Sequence, residues 1–120
     1  MKRILLLLLL CSTTLLMAQQ TDPIQEAMAS YDYETALSLI AQKKPATPLL
    51  LQKGKALRSL GLNAEALSTY QEIIGKDSTN TRALIEAAEC CRTLAKYKQA
   101  SAYYEKVLDL TPENKYVRIQ

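Results

Sequence analysis

The chain has 120 residues, with 15 Lys and Arg against 12 Asp and Glu and no His, Phe or Trp. That length suits one small domain, and the missing histidine removes the commonest general base and metal ligand. Charge this close to balance leaves no basic stripe for a nucleic acid, while the abundance of Ala, Leu, Lys, Glu and Gln predicts an all-helical fold.

Residues 1–18 read as a signal peptide. Met1-Lys2-Arg3 is basic, Ile4 to Leu10 is unbroken apolar, and Leu15-Leu16-Met17-Ala18 closes on a small residue. This order of basic, apolar and small residues describes a cleavable export signal, with cleavage after Ala18. A membrane span needs about 20 apolar residues, and Ser12-Thr13-Thr14 interrupts this run. A lipidated Cys11 is the rival reading, but Leu10 stands where a small residue would precede such a cysteine. Losing Lys2 and Arg3 reduces 15 basic residues to 13 against 12 acidic ones, a nearly neutral mature chain. The expected location is the periplasm or the cell envelope of a Gram-negative bacterium.

Asp22-Pro23 opens the mature domain, as N-cap and first helical residue. The pattern predicts a helix over Pro23–Ser30, a corner at Tyr31-Asp32, and a helix over Tyr33–Lys43 that Pro45 and Pro48 end. A helix over Pro48–Leu60 follows, with Gly61 as a left-handed cap. Asn63 is expected to cap a helix running to Gly75. After the polar loop Lys76–Asn80 come a helix over Thr81–Leu94, a corner at Ala95-Lys96 and a helix over Tyr97–Leu110. Lys115–Gln120 reads as the start of a further helix. Ala100, Tyr103 or Tyr104, Val107 and Leu110 recur at helical spacing, the mark of an amphipathic face. Corners of two or three residues imply antiparallel helix hairpins.

A shift of 34 residues lays one segment on another. Leu50 falls on Leu84, Arg58 on Arg92, Leu60 on Leu94, Ala66 on Ala100, Tyr70 on Tyr104 and Asn80 on Asn114. A fixed period of about that length means units that bury their apolar faces only by stacking. Residues 47–80 and 81–114 are full units. Residues 22–46 form a degenerate one, since Ala36 and Ala66 stand 30 residues apart rather than 34.

This pattern resembles the tetratricopeptide repeat. Residues 81–114 carry Leu84, Ala88, Ala100, Tyr104, Val107 and Pro112 at the family's places. Residues 47–80 carry Leu50, Gly54, Leu57, Gly61, Ala66, Tyr70 and Ile73. Lys53, Ala95 and Ser78 depart from it, replacing an apolar residue, the corner Gly and the Pro. Small residues pair across each hairpin, Gly54 with Ala66 and Ala88 with Ala100, and Tyr70 and Tyr104 fill the space beyond. The resemblance implies an α-α superhelix over residues 22–120 that binds a protein or peptide and catalyses nothing.

Chemical signals are sparse. There is no Gly-rich phosphate loop and no spaced Cys cluster, so neither cofactor nor metal nor small-molecule substrate is expected. Cys91, which matches Leu57, is expected in the core, and Cys90, which matches Ala56, partly exposed. Being adjacent, they point about 100° apart on a helix and make a poor disulfide. A thiol-dependent enzyme is the remote alternative. Glu65, Glu72, Glu86, Glu89 and Glu105 read as solvated, and Tyr31, Tyr33, Tyr97, Tyr103 and Tyr104 as packing between units.

By the resemblance, the first helix of each unit lines a concave face. The implied groove holds Leu51, Lys55, Arg58 and Ser59 from one unit and Arg82, Ile85, Glu89, Arg92 and Thr93 from the next. It leans basic, which suits an extended peptide with an acidic or C-terminal carboxylate feature, because Arg grips carboxylates bidentately. The family's clamp for chaperone tails is not matched, since Leu51 and Glu86 stand where it wants basic groups. Repeat arrays also need capped ends. The chain is thus alternatively the N-terminal part of a longer array, its open end free to self-associate.

Overall fold

The structure, a computed structural model, describes residues 21–113. The expected leader at 1–18 and the helix start at 115–120 lie outside the described residues. Within them the chain forms six helices and no strand: α1 Pro23–Ala29, α2 Tyr33–Ile40, α3 Thr47–Ser59, α4 Asn63–Lys76, α5 Thr81–Thr93 and α6 Tyr97–Leu110. Each packs on the next in chain order, so the hairpins α1–α2, α3–α4 and α5–α6 stack as units.

The three hairpin corners share one device. The N–H of Asp32 donates to Ala27 C=O, that of Leu62 to Leu57 C=O and that of Lys96 to Cys91 C=O, at 2.8, 2.8 and 2.7 Å. Such six-residue closures need a left-handed residue just before the donor. Tyr31, Gly61 and Ala95 supply it, at φ 62°, 79° and 60°. Only the middle corner uses glycine, the one residue without a steric penalty there.

Side-chain capping explains three of the six described helix starts. Asp22 Oδ1 accepts from Ile24 N–H at 3.0 Å ahead of Pro23. Asp32 Oδ1 accepts from Thr35 N–H, and Asn80 Oδ1 from Ala83 N–H. Asn63 does not cap α4: it is already the first helical residue, Leu62 holds the cap position, and no side chain bonds there. The Asn63 amide turns back to Gly61 C=O instead. Helix α2 ends at Ile40, three residues earlier than expected. Gln42 and Lys43 donate to the carbonyls three residues back, a tightened final turn, and Pro45 cannot continue the helix.

The core runs through the two full units: Leu50, Leu57, Tyr70, Ile73, Leu84, Tyr104 and Val107, with Ala66, Ala87, Ala88 and Ala100 between them. Gly54 sits against Tyr70. A Cβ built there would lie 2.6 Å from Tyr70 Cε1 and nearer still to Cζ. The small residue at 54 therefore makes room for the tyrosine ring. Cys90 and Cys91 are both buried; Cys90 is not partly exposed, because the preceding unit, with Arg58, lies over its side of α5. Two tyrosines expected in the core lie outside it. Tyr31 is 78% and Tyr97 65% exposed, since each sits where the chain rounds a corner and no neighbouring helix covers it.

Candidate functional site

Leu51, Lys55, Arg58 and Ser59 stand at i, i+4, i+7 and i+8 of α3, so they share one face. Between that face and α5 lies an open groove of about 500 Å³, lined by Lys55, Arg58, Ser59, Arg82, Glu86 and Thr93, with Asn63 and Tyr70 beneath. A second pocket of about 510 Å³ continues toward α1. Met28, Leu49 and Leu51 give it an apolar wall, Gln25 and Gln52 give it amides, Lys55 and Arg82 reach it as well, and the Asp22 carboxylate stands at its α1 end. The concave surface is thus one groove in two parts, cationic and polar over α3–α5 and more apolar over α1–α3.

The charges in this groove differ in how far they are committed. Arg58 pairs with Glu86 of the following unit, both side chains being partly buried. Burial alone would lower the Arg58 pKa, but the hydrogen bond and the charge of Glu86 outweigh it and hold it above its ordinary value. Among the described residues, neither Lys55 nor Arg82 belongs to an ion pair, and both are exposed. Burial, helped by the Glu86 carboxylate, raises the Tyr70 hydroxyl well above the usual phenol range. That hydroxyl stays protonated at neutral pH, as hydrogen-bonding floor rather than charge.

Of the expected groove residues, Leu51, Lys55, Arg58 and Arg82 come together here, with Ser59 and Thr93. Ile85 is half-buried and packs on the core. Glu89 and Arg92 do not line either part. Glu89 is only 5% exposed: its Oε1 accepts from the Tyr104 hydroxyl and its Oε2 from Arg92, each at 2.5 Å. It is therefore not a solvated face residue, and the Arg92 guanidinium is drawn back along its own helix. Gln25, Met28, Gln52, Asn63 and Tyr70 were not singled out for the groove. Gln25 and Gln52 did carry a signal, as amides on the solvent side of two first helices.

The thiols carry little reactive promise. Burial pushes Cys90 up to about 11, against a smaller opposing pull from Arg58, and burial raises Cys91 as well. Nucleophilic attack needs the thiolate.

Solved structures share this architecture. The chain superposes on a tetratricopeptide repeat domain of Arabidopsis OM64 with a TM-score of 0.72 at 18% identity, covering 81% of this chain and 84% of that one. The first such domain of RPAP3 (Spaghetti), bound to the HSP90 peptide SRMEEVD, gives 0.72 at 22% identity, covering 80% and 79%. PcrH, a Pseudomonas aeruginosa protein, in complex with the chaperone binding region of PopB gives 0.69 at 19%, covering 80% and 81%. No curated protein matches the sequence. Residues 57–120, more than half of the chain, match the sequence pattern of the tetratricopeptide repeat. With the stacked hairpins and the 34-residue register, that match makes this chain a member of the tetratricopeptide repeat family.

Proposed function

We propose that the protein is a non-catalytic scaffold that holds an extended segment of another protein in the groove over α1, α3 and α5. One observation carries the reading: Lys55 and Arg82 stand exposed and outside any described ion pair, where the polar and apolar parts of the groove meet. Cations left uncommitted in a concave surface favour an anionic partner, and Arg adds bidentate grip on a carboxylate. Two architectural neighbours, PcrH and RPAP3, carry peptides of their partners, which supports the same use here. The basic, apolar and small order of residues 1–18 supports action in the periplasm or at the envelope.

The test is binding of a fluorescein-labelled acidic peptide, followed by anisotropy, to the wild type and to the K55E/R82E double variant. Both positions are exposed, so the variant keeps its fold by circular dichroism. Affinity should drop at least tenfold. Equal affinity in the two proteins counts against the groove. Arg58→Glu is a poor probe, because it sets a second carboxylate against Glu86.

A further inference from the structure

Given that reading of the groove, we infer that it takes an internal stretch of its partner rather than a chain end. In that stretch an acidic and an apolar side chain stand two residues apart.

The position of the cations argues against a chain end. Lys55 and Arg82 line both parts of the groove, so a carboxylate bound there sits in the middle. Met28, Leu49 and Leu51 lie to one side; Ser59, Asn63 and Thr93 lie to the other. A terminal carboxylate at that place leaves one half of the groove empty. A chain passing through fills both, its backbone meeting hydroxyl and amide groups beyond Lys55 and its apolar side chain meeting Leu51. A second acid further along meets the Glu86 carboxylate, which Arg58 already engages. The groove therefore favours one acidic residue flanked by neutral ones over an acidic run.

The spacing follows from α3. Leu51 and Lys55 are four residues apart on one helix face. At 1.5 Å rise per residue they lie about 6 Å apart along the axis. In an extended peptide, side chains at i and i+2 point the same way and lie about 6.6 Å apart. Neighbours at i and i+1 point to opposite faces. A ligand lying along α3 thus places one side chain on Leu51 and the other on Lys55 and Arg82 only with one residue between them.

The experiment uses labelled, C-terminally amidated nonapeptides on a Gly-Ser background, read by anisotropy. Each carries one Glu and one Leu at a separation of one, two or three residues, in both orders. Control peptides carry Glu alone, or a free C-terminal carboxylate. The separation of two should bind at least tenfold more tightly than that of one, and the free carboxylate should change affinity less than twofold. Leu51→Ser should abolish the spacing preference while the Glu-only peptide still binds; Met28→Ser serves if that variant fails to fold. Equal binding at separations of one and two, or dependence on a free C-terminus, overturns the inference. In that event the groove itself stands if K55E/R82E still weakens the interaction. Failure of every peptide to bind overturns both.

Discussion

Arg58 and Arg92 hold the same place in successive units and end in different partnerships. Arg58 reaches forward to Glu86 in the next unit; Arg92 turns back to Glu89, three residues earlier on its own helix. The cause is one position. Lys55 stands where the next unit has Glu89, so Arg58 finds no carboxylate on its own helix and takes one across the stack. In the third unit Arg92 and the Tyr104 hydroxyl both bond the Glu89 carboxylate, while its Glu86 is taken by Arg58 and its Arg82 stands outside the described ion pairs. The middle unit ties two units together and leaves Lys55 over. A repeat with a uniform backbone thereby leaves one uncommitted cation in each full unit, Lys55 and Arg82, and the groove forms where the two units meet.

The most damaging way to break this contrast is Glu89→Ala. It removes a buried acceptor of two hydrogen bonds, and hydrogen bonds to charged groups contribute about 1.5–3 kcal/mol each. A loss of about 3 kcal/mol in urea unfolding is expected, with Glu89→Gln recovering part of it. A second test swaps small residues between the units. Gly54→Ala forces a methyl against the buried Tyr70 ring. Overpacking of up to about 3 kcal/mol, less about 1 kcal/mol of helix propensity gained, leaves a net loss of about 1–2 kcal/mol. Combining it with Tyr70→Leu should remove most of that cost, and a loss that persists in the double variant contradicts the packing account. Next comes Glu86→Gln, which unties the units. A partly exposed pair contributes about 1 kcal/mol or less, so a small loss that shrinks at high salt is expected, along with tighter binding of acidic peptides as Arg58 is released. The smallest single effect is at the third corner. Ala95→Gly should stabilise by a few tenths of a kcal/mol, since about 1 kcal/mol of left-handed strain is offset by the freer unfolded chain. Gly61→Ala should destabilise by about 1 kcal/mol through the same strain. Equal responses at the two corners would show that the left-handed geometry is not what separates them.

The architecture was largely legible in the sequence because it rests on local signals that repeat. Gly61, the caps at Asp22 and the 34-residue register each mark a boundary by chemistry acting within a few residues. Helix α2 was misjudged by three residues, since a tightened last turn leaves no mark in composition. Other misjudgements involved partners distant in sequence. Glu89 reads as solvated until Tyr104, fifteen residues on, is seen above it. Cys90 reads as partly exposed until the preceding unit packs against α5. The exposed tyrosines at 31 and 97 erred the other way: an aromatic signals burial on average, but a corner has no neighbour to supply it. The cationic half of the groove was visible through the resemblance, which puts the first helix of each unit on the concave face. The apolar half was visible only at Leu51, because Met28 comes from the degenerate unit, whose register slips by four residues.

The account stands on where a partner lies. The most direct measurement is an amide chemical-shift titration of the isotopically labelled protein with an amidated Glu-Ser-Leu nonapeptide. Perturbations should concentrate at Leu51, Lys55, Arg82 and Thr93, and extend to Gln25 and Met28. Shifts centred instead on Leu37, Lys43 and Glu72, which line a separate pocket between α2 and the second unit, or spread evenly over the surface, would contradict it.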